Sequence, residues 1–488
     1  MNSLEKETLN ADVVIIGSGG GMAAAVAAAE KGAGVVMLEK QKVAGGNTRL
    51  AFGMWACESP VQERENIITS KDEFFKIAMK WAHWHRVNPR IVRAYIDKSG
   101  DTIRWLEEKG VEFDGKMVRL RRSAHVPIGA GKRLMAALVK AAETLGVKIL
   151  LQTRGKKIIR DQRDNVKGVI AEKDGREFEI KAKSVIIATG GFPGNTEMLN
   201  KYCPDYYKGM FTGNSPYHTG DGITLAQEAG AEIAGNIPIF HVGPIVGSAP
   251  RGKLAALVKD PYAVWVNKSG RRFIDESDCM VWECGNAILM QPDKVLYCLF
   301  DDDIRKNMEE RGIYGTQGWE DPKERSQTEG PFLKEKLQEH SKMNPDEVKV
   351  SDSLDEMAEW IGADPEVLKD TADEYNNACD EGRDAIFVKN KEFMIPLRTP
   401  PYYAVKGITD CGETMGGIKV NEHMEAQDIH NRTIPGIYVA GIIADGWESQ
   451  TYCCEEMAGS AFGFAINSGR IAGENAASFA LKKKNRGS

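Results

Sequence analysis

Residues 11–40 read ADVVIIGSGGGMAAAVAAAEKGAGVVMLEK, and this stretch decides the fold. A short apolar run is followed by a glycine-rich turn, then by an alanine-rich segment of high helix propensity, then by a second apolar run of strand length. This order predicts a parallel βαβ unit, in which a nucleotide pyrophosphate lies at the N-terminus of the helix.

The glycine-rich turn departs from the usual dinucleotide-binding pattern at one position. Gly17 and Gly19 occupy the first two glycine positions, but Met22 stands at the third. The first two glycines admit the phosphates, whereas the third mainly allows close packing of the helix. Glu39 ends the second apolar run, where a carboxylate accepts hydrogen bonds from ribose hydroxyls. The unit therefore predicts FAD or NAD rather than NADP.

Composition excludes several classes of protein. The 488 residues carry a formal net charge of −6 without a basic patch, which argues against nucleic acid as a partner. The sequence shows neither a secretory signal pattern nor an apolar window of about 18 residues, so we expect a cytoplasmic protein without membrane insertion. The nine cysteines lack metal-binding spacing, so neither a metal site nor a disulfide framework is expected.

Further motifs extend the pattern along the chain. A second glycine-polar loop, GGNTRLAFGM, covers residues 45–54, and strand-like runs between 147 and 191 end in ATGG. The segment DGITLAQEAG, residues 221–230, predicts a helix with Asp221 just before its start. This carboxylate suits either capping of the helix or binding of a ribityl hydroxyl. WAHWH, residues 81–85, is predicted to lie on a helix and to serve packing.

Changes in residue composition and pattern along the chain predict the domain organisation. One domain is formed by two segments, residues 1–236 and 396–488, and it encloses an inserted domain at residues 237–395. Within the insertion, the polar segment 315–347 is expected to be a mobile surface elaboration. The C-terminal segment returns to a buried strand in IPGIYVAG and then to a helix of small residues that opens with AGSA.

Taken together, these motifs resemble those of the flavoprotein family of soluble fumarate reductases, urocanate reductase and 3-ketosteroid dehydrogenases, related to the succinate dehydrogenase flavoprotein subunit. The motifs DVVIIGSGGG, LEK, GGNT, ATGGFPGN, TGDG, VNKSGRRF, LFDD, TMGG and IPGIYVAG occur in the family's order. The resemblance implies an α/β fold, with a Rossmann-type FAD-binding domain and an inserted α+β capping domain. It also implies a substrate held between the isoalloxazine ring and the cap.

The resemblance further implies a set of FAD-contacting residues. They are Gly17, Ser18, Gly19, Gly20, Gly21, Glu39, Lys40, Gly45, Gly46, Asn47, Thr48, Ala188, Thr189, Gly190, Asp221, Gly441, Ser460 and Ala461. The last two open the C-terminal helix, whose N-terminal amides would stabilise negative charge at the flavin N1/O2 edge. Asn47 and Thr48 replace the histidine that carries FAD covalently in the membrane complexes, so FAD is expected to be non-covalent. Ile442 departs from the family's glutamate after AG.

The catalytic arginine of fumarate reductases matches Arg272 in GRRF. In the family this arginine protonates one alkene carbon while hydride passes from flavin N5 to the other. Its pKa exceeds about 12, so an arginine acid must be desolvated. The alternative is that Arg272 only forms a salt bridge at the domain interface. Ala256 and Lys259 replace the family's relay glutamate and arginine, so reprotonation must run differently.

The family's carboxylate-binding residues are largely replaced here. His241 matches a cap histidine that holds one substrate carboxylate, although a packed core histidine is the alternative. Gly412 replaces a second histidine, and Glu456 replaces the arginine clamp. An ionised Glu456 about 4 Å from a substrate carboxylate, at an effective dielectric of roughly 20, would repel it by on the order of 4 kcal/mol. Protonation or rotation of the side chain would reduce this repulsion, but fumarate and succinate remain poor candidates.

The substrate predicted instead is an enone or enoate with less charge, or a cationic or hydroxylated one. Tyr452 supplies a phenolic donor of the sort that 3-ketosteroid dehydrogenases use. For Tyr402 and Tyr403 we favour packing. The adjacent Cys453 and Cys454 are expected to pack in the core or to line the pocket.

Three functions follow from this interpretation. The preferred one is an FAD-dependent reductase of an activated carbon–carbon double bond. The second runs the same half-reaction backwards and desaturates a ketone, and the third is an electron-carrying flavoprotein without a small-molecule substrate. The sequence has no haem motif, iron–sulfur cysteine cluster or second nucleotide fingerprint, so electrons are expected to come from a partner protein or a reduced free flavin.

Overall fold

The computed structural model describes residues 8–213, 215–241, 243–247, 253–278, 281–314, 327–328, 333–453 and 456–485. The chain forms two compact units. The first unit comprises Met1–Tyr206, Ser215–Phe240 and Glu413–Ser488, and the second comprises Tyr207–Asn214 and His241–Gly412. The domain bounds predicted from the sequence stay a prediction, and much of the predicted surface elaboration, residues 315–326 and 329–332, lies outside the described residues.

The main sheet of the first unit is mostly parallel. The strands of this unit are β1 (Thr8–Asn10), β2 (Val13–Ile16), β3 (Val35–Glu39), β4 (Met54–Trp55), β5 (Phe113–Asp114), β6 (Ala124–Pro127), β7 (Lys148–Leu151), β8 (Thr153–Arg160), β9 (Val166–Lys173), β10 (Arg176–Lys181), β11 (Ser184–Ile187), β12 (Ile239–Phe240), β19 (Glu413–Thr414), β20 (Glu425–Gln427) and β21 (Thr433–Val439). The six-stranded sheet has the order β20-β21-β11-β2-β3-β7. Strands β1, β10, β9 and β8 form a second sheet.

Helices cover and connect these sheets. They are α1 (Gly19–Glu30), α2 (Pro60–Arg64), α3 (Lys71–Trp81), α4 (Pro89–Glu108), α5 (Gly115–Arg121), α6 (Ala130–Thr144), α7 (Thr196–Tyr202), α8 (Asp221–Glu228) and α15 (Ser460–Asn485), with a 3-10 turn at Gly46–Leu50. The helix predicted at 221–230 is therefore confirmed as α8. The prediction that WAHWH lies on a helix is wrong. Helix α3 ends at Trp81, His83 and Trp84 take positive φ angles, and Trp84 is 66% exposed.

The predicted βαβ unit is confirmed. Strands β2 and β3 pair in parallel, with Val13 opposite Val35, and every residue of both strands is buried. Continuous apolar strands of this kind are typical of a parallel sheet covered on both faces. Gly21 provides the close helix packing expected of the third glycine, since a Cβ there would lie 3.0 Å from Ile15 Cγ2. Met22 can therefore be a buried core residue.

Helices α1 and α15 approach each other closely. A Cβ on Gly469 would lie 2.2 Å from the Gly20 carbonyl oxygen, and one on Gly473 would lie 2.3 Å from that of Ala24. Only glycine permits this backbone-to-backbone contact. The small residues of the C-terminal helix therefore fix the start of α15 beside the glycine-rich turn of α1.

The second unit has its own sheet and core. Its elements are α9 (Lys253–Leu257), β13 (Val264–Val266), α10 (Val281–Leu289), β14 (Val295–Phe300), α11 (Asp302–Arg311), β15 (Ile313–Tyr314), β16 (Gln327–Thr328), α12 (Leu333–Met343), β17 (Val348–Ser351), α13 (Leu354–Ile361), α14 (Pro365–Glu381) and β18 (Tyr402–Ile408). The main sheet is antiparallel, in the order β13-β14-β18-β17. Trp265, Phe300, Tyr375 and Tyr403 fill its core.

Candidate functional site

The N-terminus of α1 is not capped by a side chain. Ser18 occupies the N-cap position, but its hydroxyl donates to Glu39 and accepts from the Gly45 amide at 2.7 Å. The orphan amides of the first helical turn and the helix dipole therefore remain available to an anion. Gly17 lies just before this turn with a φ angle of +95°, and a Cβ on it would lie 2.4 Å from the Ala188 carbonyl oxygen.

Glu39 is fixed at the carboxyl end of β3. It is 6% exposed, and its oxygens accept from the Ser18 amide at 3.2 Å and the Gln41 amide at 2.8 Å. Two backbone donors hold the carboxylate beside the start of α1. This is the place that the sequence predicts for an acceptor of ribose hydroxyls.

Lys40 and Asp221 form an ion pair. Lys40 Nζ lies 3.2 Å from Asp221 Oδ2 and donates to Thr219 Oγ1 at 2.9 Å, while Arg154 donates to both Asp221 oxygens, at 2.9 and 3.1 Å. Burial opposes ionisation, but Lys40, Thr219 and Arg154 hold the pKa of Asp221 below its usual value. Asp221 is the first residue of α8 and Gly220 is its N-cap, so the suggestion that Asp221 caps the helix is wrong.

The second glycine loop lies against the first. Gly45 and Gly46 adopt φ angles of +117° and +48°, and a Cβ on Gly19 would lie 3.0 Å from Thr48 Oγ1. Asn47 donates through Nδ2 to Glu413 Oε2 at 3.0 Å and also to Ser215 Oγ. The structure thus brings these predicted FAD residues together.

A histidine–glutamate pair beside this loop escaped the sequence analysis. His218 Nδ1 forms a short hydrogen bond with Glu413 Oε2, and both residues are buried. Burial opposes the charge of the imidazole, but Glu413 raises the pKa of His218 above its usual value. A Cβ on Gly190 would lie 2.8 Å from His218 Cε1, so the ring packs directly on the loop formed by Ala188, Thr189 and Gly190.

The end of β21 completes the arrangement. Gly441 has a φ angle of +81°, and its amide donates to Ser468 Oγ at 2.9 Å. A Cβ on Gly441 would meet no atom within 4 Å, while one on neighbouring Gly20 would lie 2.6 Å from the Ala465 carbonyl oxygen. There is therefore open space beside Gly441, next to the close contact of α1 with α15.

The start of α15 carries a buried polar cluster. The Ala461 amide donates to the Tyr452 hydroxyl at 3.0 Å, and Ser460 Oγ donates to Glu448 Oε2 at 3.4 Å. Burial raises the pKa of Glu448 to about 7. The sequence analysis missed Glu448, although its position shortly before the predicted helix was a usable signal. Tyr452 is buried, with its ring edge against Phe240 at 4.7 Å between centroids.

Glu456 lies on a turn and its side chain is exposed. Its carbonyl oxygen accepts from Ser123 Oγ at 3.4 Å. Cys453 is buried, and this burial raises the pKa of its thiol. Cys454 lies outside the described residues. The described cysteines are free thiols, and among the described residues no His, Cys, Asp and Glu side chains group as a metal site.

In the second unit, Arg272 is held by carboxylates. Its Nε and Nη2 donate to Glu276 at 3.1 and 3.0 Å, Nη2 also donates to Asp384 at 2.9 Å, and the side chain is only 2% exposed. Lys389 Nζ lies 3.3 Å from Glu276 Oε2. Burial opposes the guanidinium charge, but Glu276 and Asp384 hold the pKa of Arg272 above its usual value.

His241 and Lys259 lie in the same unit. His241 is buried, with Nδ1 at 3.3 Å from the Asp410 carbonyl oxygen. Burial lowers the pKa of Lys259 despite the attraction of the Asp410 carboxylate. Tyr403 stacks on Phe300 and donates to Asp302 Oδ1 at 3.1 Å, which agrees with the expected packing role.

The parallel βαβ unit, the uncapped start of α1 and the acidic end of β3 define a dinucleotide-binding protein of Rossmann type. The chain belongs to the FAD binding domain family, whose profile matches residues 12–453. The donor set and the open space beside Gly441 fit this cofactor. FAD is therefore the cofactor, as predicted.

Comparisons with known proteins agree with this family assignment. The chain is 29% identical over 482 residues to vinyl phenol reductase of Lactiplantibacillus plantarum, covering 96% of each protein. It is also 29% identical over 482 residues to fumarate reductase (cytochrome) of Shewanella frigidimarina, covering 96% of this chain and 78% of that protein. The structure of 3-ketosteroid-Δ4-(5α)-dehydrogenase from Rhodococcus jostii has a similar fold, with a TM-score of 0.74, 23% identity and coverage of 97% and 98%.

These findings confirm the predicted family resemblance, the fold class and the assignment as an FAD-dependent oxidoreductase. No helix within the described ranges combines the length and apolar character needed to cross a bilayer.

Proposed function

We propose that the protein uses FAD to reduce an activated carbon–carbon double bond in a small enone or enoate other than fumarate. The observation that carries the proposal is the uncapped start of α1, framed by Gly45, Glu39 and Gly441. Support for the reaction comes from the relatives named vinyl phenol reductase and fumarate reductase. A cytoplasmic location stays a prediction.

Different predicted FAD residues are proposed to contact different parts of the cofactor. The first turn of α1 would bind the pyrophosphate and Glu39 would bind ribose, while Lys40 and Asp221 would lie along the ribityl chain. The start of α15, at Ser460 and Ala461, would lie at the flavin N1/O2 edge, where the helix dipole supplies positive potential. When bound, FAD supplies hydride from N5 to one alkene carbon. Asn47 offers only an amide, so the cofactor is non-covalent.

Arg272 is the proposed proton donor to the second alkene carbon. Nε and Nη2 are already engaged with Glu276 and Asp384, and no hydrogen bond to Nη1 is found among the described residues. We assign proton donation to Nη1. Because Lys389 contacts the same Glu276 carboxylate at 3.3 Å, it takes the place of the missing relay residues as the neighbouring cation.

The substrate is defined mainly by what replaces the carboxylate clamp. The exposed carboxylate of Glu456 repels a second substrate carboxylate. Tyr452, held at the first turn of α15 by the Ala461 amide, is proposed to orient a substrate carbonyl or hydroxyl. His241 is proposed to hold the polar end of the substrate. The same phenol also favours the second candidate function, which is desaturation of a ketone.

Anaerobic reoxidation tests the proposal. The FAD is reduced with a free reduced flavin as electron donor, and the enzyme is mixed with vinyl phenols, enones, enoates, nitroalkenes or fumarate. We expect rapid reoxidation by at least one non-fumarate alkene, with fumarate much slower. Reoxidation by none of them would favour the electron-carrier function. Fast turnover of fumarate would contradict the assignment of Glu456.

A further inference from the structure

His218 and Glu413 form a buried acid–base pair within the first unit. The two residues are 195 positions apart, and Glu413 also accepts from Asn47 Nδ2 at 3.0 Å. The Thr414 amide donates to the other carboxylate oxygen, Oε1, at 3.2 Å. Glu413 is therefore held in place from three directions, and it fixes the orientation of the imidazole.

The pair lies among the loops proposed to bind FAD. A Cβ on Gly46 would lie 3.9 Å from His218 Nε2, and one on Gly190 would lie 3.2 Å from the same nitrogen. The partner Asn47 belongs to the loop after Gly46, and Lys40 bonds Thr219, the residue next to His218. The ring thus lies where two cofactor loops meet.

The hydrogen bond to Glu413 decides which ring nitrogen titrates. In the neutral imidazole, Nδ1 carries the proton that Glu413 accepts, and Nε2 carries the lone pair. Nε2 makes no hydrogen bond in the part of the chain that the structure describes. The charged groups around the ring are Glu413 on β19, Glu39 and Lys40 at the end of β3, and Asp221 at the start of α8 through its contacts with Lys40 and Thr219.

We propose that the His218–Glu413 pair binds a proton from solvent when the bound FAD accepts two electrons, and releases it when FAD is reoxidised. The inference rests on the proposed placement of FAD. The two electrons come from the external donor, one proton enters the flavin, and a second proton adds to His218 Nε2. On reoxidation the substrate takes hydride from the flavin and a proton from Arg272, which is reprotonated from solvent. The proton on Nε2 returns to solvent, so atoms and charge balance.

Physically, the pair offsets the negative charge that reduction brings into a poorly solvated site. Burial opposes the imidazole charge, but Glu413 raises the pKa of His218 above its usual value, so the pair favours the protonated ring. Proton uptake by His218 would then favour the reduced cofactor and make the midpoint potential of the flavin depend more steeply on pH. Glu448 is the competing candidate, because burial raises the pKa of its carboxyl to about 7.

The test measures how many protons the protein takes up per flavin when FAD is reduced. The holoenzyme is titrated anaerobically with reduced viologen, a donor that carries electrons without protons, in weakly buffered solution with a pH indicator. The titration is repeated at starting pH values from about 6 to 9, and variants are compared at the pH where wild-type uptake is greatest. We expect wild type to take up one proton more per flavin than His218→Gln. His83→Gln, a change at an exposed histidine of the same unit, should match wild type. In Glu413→Gln the additional uptake should move to lower pH.

Uptake by FAD-loaded His218→Gln equal to that of wild type would overturn the inference, as would loss of the additional proton in Glu448→Gln alone. If His218→Gln fails to retain FAD, the Glu413→Gln variant tests the proposal instead. Additional proton uptake over the same pH range in Glu413→Gln as in wild type would contradict the proposal. Failure of wild type to bind FAD would instead contradict the proposed function.

Discussion

Arg272 and Glu276 are joined by two hydrogen bonds, Nε to Oε1 at 3.1 Å and Nη2 to Oε2 at 3.0 Å, and both side chains are almost fully buried. A planar guanidinium matches a carboxylate in this way, whereas lysine offers a single point charge. The guanidinium of the proposed proton donor is therefore also a structural cation of the second unit. Any test of its catalytic role must separate these two contributions.

Arg272→Ala should abolish turnover and also lower stability, because the carboxylates of Glu276 and Asp384 lose their shared partner. Breaking a buried ion pair in this way typically costs about 3–5 kcal/mol. Arg272→Lys should keep more of the stability but still lose most of the turnover. The measurements are thermal melting and steady-state rate, with FAD content checked by absorbance.

Arg271→Ala is the matched control, since Arg271 is the adjacent arginine and its side chain is exposed. It should leave both melting temperature and rate near wild type. Full turnover in a folded Arg272→Lys variant would show that the guanidinium is not the proton donor.

Glu39→Ala should weaken FAD binding. The substitution removes the proposed ribose acceptor and leaves the Ser18 and Gln41 amides without their carboxylate partner. A hydrogen bond to a charged group contributes about 1.5–3 kcal/mol, so loss of the proposed bonds from Glu39 to ribose should raise the Kd for FAD at least tenfold, about 1.4 kcal/mol. Quenching of FAD fluorescence measures the Kd. Affinity equal to wild type would show that this carboxylate does not contact the cofactor.

Gly441→Ala tests the open space beside the end of β21. Gly441 and Gly32 have φ angles of +81° and +83°, and a Cβ on either would meet no protein atom within 4 Å. Both alanine variants should therefore lose a similar amount of stability, about 1 kcal/mol from the left-handed backbone.

Only Gly441→Ala should also weaken FAD binding, because Gly32 is exposed in the turn after α1. The comparison uses the Kd for FAD at equal folded fraction. Equal affinities of the two variants would place the cofactor away from Gly441.

The sequence predicted what local patterns encode. The βαβ unit follows from consecutive residues 11–40, in which apolar periodicity and glycine positions are sufficient. His218 was missed because its partner Glu413 is 195 residues away, and Arg272 was assigned without Asp384, which is 112 residues away. Such pairs are created by tertiary packing. The prediction for WAHWH was wrong for a different reason: it extended a helix over all of residues 81–85, whereas α3 ends at Trp81 and the chain then turns away through positive φ angles.

Glu448 predicts a specific dependence of stability on pH. Burial raises its pKa from an ordinary value of 4.5 to about 7, so the folded protein holds this proton more tightly than the unfolded chain. The stabilisation from the neutral carboxyl is complete below about pH 4.5 and is lost as the pH rises through about 7. The difference amounts to about 3 kcal/mol.

Glu448→Gln keeps the volume but cannot ionise, so its melting temperature relative to wild type should increase between pH 5 and pH 8. Glu63→Gln, a change at an exposed glutamate of the same unit, should show no such increase. If the difference between wild type and Glu448→Gln is the same at both pH values, the carboxyl is already ionised in the folded protein at pH 5.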